Sequence, residues 1–226
     1  MKVLTTRLWA TALALAGCLL LTTGCRPLRS SQVVADSLSG FSDQQGANGW
    51  SYGYWDHTAD TDKRYSQATD FQLLSHFGSD PINQLSTRPE LGTGKLWTLQ
   101  DGLYYTSLGA GGGHANGILD LGAHAQVEHW AVRRWVSTAN GPVTISGHAA
   151  KVLATNWGGA VQTRIVVDGT TVFSAVIDNR GTNYSVNATV HRGSLVDFLI
   201  GPGPTGAYAV GVTEFSATIR TAPALP

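Results

Sequence analysis

Asp168-Gly169 sits between two runs rich in β-formers, Thr163–Val167 (TRIVV) and Thr170–Ser174 (TTVFS). A two-residue Asp-Gly link between such runs favours a tight hairpin, because both turn positions accept positive φ. The turn then sets the register. Val167 is expected opposite Thr170, Ile165 opposite Val172 and Val161 opposite Val176. These residues make one mostly apolar face. The other face carries Gln162, Arg164, Val166, Thr171 and Phe173 and is mixed. A sheet with one packed side and one partly wet side is antiparallel and belongs in a sandwich. The stretch AVRRWVS-TANGP-VTISGH (131–148) reads as a second hairpin, with Val143, Ile145 and Gly147 alternating with Thr144, Ser146 and His148.

The rest of the chain repeats this grammar. Trp50, Tyr52 and Tyr54 alternate, and Trp55 points the other way. Leu96–Leu99 and Tyr104–Leu108 flank Gln100-Asp101-Gly102 as a hairpin. Tyr184–Val190 and Leu195–Ile200 form a pair across His191–Ser194, and Thr213–Arg220 alternates as a last strand. Phe71–Phe77 fits either a short strand or a helical turn, and Gly109–Gly117 (GAGGGHANG) reads as a glycine-rich loop. No long amphipathic helix appears in the pattern. Roughly nine to eleven strands are expected, in an all-β fold: a single antiparallel β-sandwich, jelly-roll-like. The chain has 226 residues, 42% of them hydrophobic, enough for one such core.

The N-terminus has the layout of an export signal, with Lys2 and Arg7 before the apolar run Leu8–Leu21. Two cysteines follow small residues, at Leu15-Ala16-Gly17-Cys18 and Thr22-Thr23-Gly24-Cys25. Both look like lipoprotein cleavage boxes. Cys18 fits better by residue type and Cys25 by the length of the apolar run; Cys25 is the preferred lipidation site. The expected organisation is a lipoprotein signal peptide over 1–25, a tether over 26–39 and the β-sandwich over 40–221. The expected location is the cell envelope, lipid-anchored and facing the periplasm or the exterior. The chain has 2 cysteines, both in the signal region, so the sandwich carries no disulfide. Lys+Arg and Asp+Glu number 15 each, and charged residues are 13% of the total. Such a surface has no basic field for nucleic acid.

The segments FSDQQGANGWSYGYWD, LGAGGGHANG, WAVRRWVSTANGPVTISG, RIVVDGTTVFSAVI and LVDFLIGP resemble a family of bacterial extracytoplasmic domains. Those domains carry F-S-x-x-Q-x-x-x-G-W-x-Y-G-Y, then V-R-R-W-x-x-P-x-x-G-x-V-x-I-S-G. They are similar to carbohydrate-binding-module-like jelly rolls and are largely uncharacterised. The resemblance spans about Phe41–Ile219 and implies a module that binds a neutral polysaccharide or other glycan. Ala115 stands where the family loop has Pro, and Gly211 where its closing motif has Asp. An aspartate there can help hold a structural calcium in related modules. Gly211 weakens that case, and no cofactor is expected.

Flat aromatic rings beside amide and carboxylate groups match the apolar faces and hydroxyl rims of sugars. The candidate carbohydrate-binding residues are therefore Trp50, Tyr52, Tyr54 and Trp55, with His114 and Asn116 from the glycine-rich loop at the rim. The plain alternative is that these rings pack the core. His114, His124, Glu128, His129 and His148 match no metal-ligand spacing, so no metal site is expected. Arg133 and Arg134 face opposite sides of one strand; Asp120, Glu128 and Asp197 are candidate partners. Arg164 is expected to stack on Phe173. No nucleophile elbow or paired-carboxylate motif emerges, so catalysis is not expected. A surface or periplasmic protein that contacts protein partners, and a small polysaccharide lyase or hydrolase, are the alternatives.

Overall fold

The computed structural model describes residues 30–80, 86, 89–92, 94–99, 104–118, 126–152, 160–178, 180–204 and 212–222. Within them, two antiparallel sheets face each other. The first contains, in spatial order, β12 (Thr182–Val190), β9 (Gly141–Lys151), β14 (Thr213–Thr221), β7 (Gly112–His114), β6 (Ser107–Leu108), β5 (Leu96–Thr98) and β4 (His76–Gly78). A short β1 (Val33–Asp36) pairs with the last part of β14. The second runs β11 (Thr170–Ile177), β10 (Val161–Val167), β13 (Leu195–Pro202), β8 (His129–Val136), β2 (Trp50–Asp56) and β3 (Gln72–Leu73).

The Asp168-Gly169 turn forms as expected, with φ of 44° and 80°. It is held from outside as well. The Asp168 carboxylate accepts from Leu195 N (2.8 Å) and Ser194 Oγ (2.6 Å), and the Gln67 side chain accepts from Gly169 N (2.6 Å). The register departs from expectation after two pairs. Val167 faces Thr170 and Val166 faces Thr171, but Ile165 faces Phe173, so Val172 is the extra residue of a bulge. The bulge reverses the parity of β11. Phe173, Ala175 and Ile177 turn inward, and Val176 turns out, 54% exposed. A single inserted residue cannot be read from composition, because it leaves both flanking runs β-like.

Two expected hairpins are crossings instead. β8 belongs to the six-stranded sheet and β9 to the eight-stranded one; β12 and β13 are divided in the same way. Strands facing each other across a core show the same alternation as strands paired side by side, so pattern alone does not separate them. The two connections lie together. Ser137 N donates to Ser194 O (2.9 Å), Gly193 N to Ser137 O (2.8 Å) and Arg192 N to Asn140 Oδ1 (2.9 Å). The expected tether over 26–39 also holds β1, paired with β14 from Val33↔Arg220 to Asp36↔Thr218.

The glycine-rich segment is a strand rather than a loop. β7 is wedged between β14 and β6. A Cβ on Gly112 would lie 1.9 Å from Thr213 O, and one on Gly113 would lie 2.4 Å from Ser107 O. Here glycine serves backbone approach within the sheet.

The main core lies between the sheets, built from Trp50, Tyr52, Trp135, Ile145, Ile165, Phe198, Phe215 and Ile219 among others. A second cluster, Trp55, Trp130, Val132, Val166 and Leu199, covers the outer face of the six-stranded sheet beneath Tyr65 and Phe71. Arg133 turns inward and Arg134 outward. Arg133 is buried and donates from Nη2 to the carbonyls of Gly109 and Ala110, with Ala110 at 3.0 Å. Arg134 pairs with Asp197 (2.8 and 2.7 Å) and lies 3.9 Å over the Phe71 ring.

Trp50 is 1% exposed and packs on Trp135 and Phe198. Trp50→Ala should cost about 3–5 kcal/mol of stability, measured by denaturant unfolding; a variant as stable as wild type contradicts this packing role.

Burial pushes the phenols of Tyr52, Tyr65 and Tyr184 above their ordinary value, and the Asp197 carboxylate raises Tyr65 further. Each therefore holds its proton more tightly folded than unfolded. Their contribution is complete below the unfolded value near 10 and is lost as pH rises beyond it. The denaturation midpoint should fall between about pH 8 and about pH 11. A tyrosine absorbance titration in which all 7 tyrosines ionise together in the native protein would contradict it.

Candidate functional site

The expected platform of Trp50, Tyr52 and Tyr54 is not formed as an exposed surface. The alternation is real, but the side it faces is the interior. Trp50 and Tyr52 are 1% and 0% exposed. Tyr52 stacks on Trp97 at 5.8 Å and 11°, and its hydroxyl accepts from Ser42 N at 3.2 Å. Trp55 points to the opposite face and is equally enclosed. It contacts Trp130 (5.5 Å) and Tyr65 (5.4 Å) and donates from Nε1 to Asp60 Oδ2 at 3.0 Å. β2 lies between β8 and β3, with a core on one face and a covering segment on the other. Neither neighbour is visible in the local sequence.

Tyr54 differs. It stands near the end of β2, half-buried and packed against the main core. Its ring lies 5.0 Å from His129, and its hydroxyl donates to Gln72 Oε1 at 2.9 Å. Tyr104, also half-buried, meets His129 edge-on at 4.8 Å. The imidazole is thus held between two phenol rings. Its Nδ1 lies 3.1 Å from Thr106 Oγ1, and its Nε2 is 3.8 Å from Asp56 Oδ2.

Asn116 joins this cluster to β7. Its backbone pairs with His129 in both directions at 3.0 Å, its Oδ1 accepts from Tyr105 N (3.2 Å), and its Nδ2 donates to Val127 O (2.8 Å). His114 lies 5.2 Å from the Tyr105 ring. His114 and Asn116 were expected at the rim of a ligand site. Their exposure is 6% and 0%. They support the site from within rather than line its rim. Tyr104, His129 and Asp56 are the members that sequence reasoning missed, because their association depends on the order of strands across the two sheets.

β8 continues from this cluster to the outer face, since successive residues alternate. Trp130 lies over Gly201, where a Cβ would come within 2.2 Å of the indole. Its Nε1 donates to Glu128 Oε1 at 2.8 Å, and Glu128 Oε2 is 3.2 Å from His57 Nδ1. Arg164 stacks on Trp130 with Cζ 4.4 Å from the ring centroid, and its Nη2 donates to Gln162 Oε1 at 3.3 Å. The expected partner Phe173 is turned into the core by the β11 bulge and packs on Tyr184 at 4.9 Å.

Half-buried phenols beside a carboxylate and a carboxamide suit a hydroxyl-rich ligand. Rings supply stacking area, while Asp56 and Gln72 supply hydrogen-bond acceptors. The string Thr106–His129–Asp56 has the residue types of a proton relay. Thr106 is 0% exposed, so its hydroxyl is not presented to a substrate. Among the described residues, no group of three His, Cys, Asp or Glu side chains is placed to hold a metal. Cys18, Cys25, Asp120, His124 and Gly211 lie outside the described residues.

No family model matches the chain, and no curated protein matches it. Solved structures similar to it include a family 35 carbohydrate binding module from an environmental isolate, 12% identical, covering 43% of this chain and 72% of that one, with a TM-score of 0.29. Another is a family 35 carbohydrate binding module from Clostridium thermocellum, 14% identical, covering 42% and 71%, with a TM-score of 0.28. A third is a beta-glucosidase from Kluyveromyces marxianus in complex with glucose, 9% identical, covering 84% and 18%, with a TM-score of 0.33. Similarity at this level carries no argument about what this chain binds.

Proposed function

We propose that this domain is a non-catalytic glycan-binding module, held at the cell envelope by a lipid on Cys25. The observation that carries the binding role is the pair of half-buried phenols, Tyr54 and Tyr104, set about His129 where β2 ends and β8 begins. Large rings that are neither sealed in the core nor isolated on the surface are costly to leave wet. A sugar face covers them while its hydroxyls meet Asp56 and Gln72. The lipid anchor rests on the small-residue–cysteine box that ends the apolar N-terminal run.

Calorimetry of the full chain in mild detergent against a panel of polysaccharides tests the binding role. Tyr54→Ala and Tyr104→Ala should each weaken binding by about fivefold, or ~1 kcal/mol, with melting temperatures close to wild type. Wild-type affinity in both folded variants rejects this end as the site. The anchor has its own test. Cys25→Ser should release the protein from washed membranes. Release by Cys18→Ser instead moves the lipid to the earlier cysteine, and release by neither removes the lipoprotein reading.

A further inference from the structure

Among the described arginines that are half-buried, Arg134 and Arg164, only Arg164 lacks both a carboxylate and a backbone carbonyl as partner. Arg133 ends on two backbone carbonyls, Arg134 on Asp197, and Arg180 on Asp178 at 2.8 Å. Arg164 has no carboxylate within ion-pair distance among the described residues. The nearest acidic influence is Glu128, whose two oxygens are already taken up by Trp130 Nε1 and His57 Nδ1. The neutral Gln162 is its hydrogen-bond partner, at 3.3 Å.

Its geometry is also set in advance. The guanidinium lies over the Trp130 indole, which in turn is fixed over Gly201 and tied to Glu128. Stacking uses the face of the guanidinium and leaves its edge of N–H donors for an acceptor in plane. The covering segment packs Tyr65 and Phe71 over Trp55, Val132 and Leu199 and reaches the far end of β10 through Gln67, which bonds Val166 O and Gly169 N. On the β11 side the neighbours are exposed: Ser174 opposite Arg164, and Val176 opposite Gln162. Arg164 itself remains half-buried, so a pair formed there is shielded from salt more than a surface pair.

We infer that Arg164, stacked on Trp130, is an anion-reading subsite, and that the ligand is a glycan bearing a carboxylate or sulfate group. The inference rests on the glycan-binding role proposed above. It departs from the neutral polysaccharide expected above for a chain whose Lys+Arg and Asp+Glu number 15 each. A balanced total does not describe the field at one unpaired arginine. A planar carboxylate accepts two parallel N–H bonds from the guanidinium edge, and a sulfate oxygen pair does the same. Arg164 is level with Leu199, Val132 and Gly53 in the middle of the six-stranded sheet, and Trp130, its stacking partner, follows His129 on β8 and faces the opposite side of that sheet from it.

The test is calorimetry of the full chain in mild detergent with polygalacturonate, dextran sulfate and unmodified dextran, on wild type, Arg164→Gln, Arg164→Lys and Tyr54→Ala. Binding to one anionic polymer, weakened at least about tenfold by Arg164→Gln and partly restored in Arg164→Lys, supports the subsite. Which of the two polymers binds distinguishes carboxylate from sulfate. Equal wild-type binding of dextran overturns it while leaving the glycan role intact. So does an unchanged affinity in folded Arg164→Gln. Binding of no polymer by wild type overturns both. Loss in Arg164→Gln but not in Tyr54→Ala keeps the anionic subsite and rejects the tyrosine end.

Discussion

A sheet that is apolar on both faces must be covered on both. The six-stranded sheet is such a sheet. Its inner face gives Trp50, Tyr52, Ile165 and Phe198 to the main core, and its outer face presents Trp55, Trp130, Val132, Val166 and Leu199. The second set is covered by the connection between β2 and β3. That connection has little regular structure of its own, so its position depends on a few strong bonds. Arg134 joins the Asp197 carboxylate to the carbonyl of Gln67 at 2.7 Å; Tyr65 donates to Asp197 at 2.7 Å, and Gln67 reaches Val166 O and Leu195 O. Asp197 is fully enclosed. Losing either member of such a pair strands a buried charge, a cost well above that of a surface ion pair. The same connection includes His57 and Asp60, which hold Glu128 and Trp55.

Much of this architecture was legible from alternation and turn chemistry. The Asp168-Gly169 hairpin, the pairing of Leu96–Thr98 with Ser107–Leu108, and the last strand at Thr213–Thr221 all followed from local pattern. What was not legible is global. Alternation says that Val143 and Ile145 face a core, but not whether β9 reaches that core beside β8 or opposite it. The Val172 bulge is a second kind of loss. One extra residue in a run of β-formers changes no propensity, yet it exchanges the inward and outward sets of β11 and gives Arg164 a different aromatic partner.

The site shows the same division. Trp50, Tyr52 and Tyr54 do share a face, and only the last is half-buried rather than buried. Whether an alternating aromatic is core or platform depends on how far along its strand the second sheet extends, which no window of sequence contains. His114 and Asn116 were expected at a ligand's rim and are buried instead. The small residues around them looked like room for a ligand, whereas Gly112 and Gly113 are small because other strands touch them. The residues that complete the cluster, Tyr104, Asp56 and His129, come from separate segments that become neighbours only once both sheets are assembled.

The pairing of β1 with β14 fixes where the described chain joins the sandwich. Val33 lies beside Arg220, at the end of the sandwich where the 137–140 crossing joins Val136 to Gly141. Thr213, at the other end of β14, pairs with Gly113, next to His114, and β8 begins at His129 on that side. The chain thus enters at one pole, while Tyr54 and Tyr104, beside His129, lie toward the other. Eight residues of extended strand separate the poles by roughly 25 Å. On the proposal of a lipid at Cys25, the first pole is the one nearer in sequence to the anchor, and the second is the one farther from it.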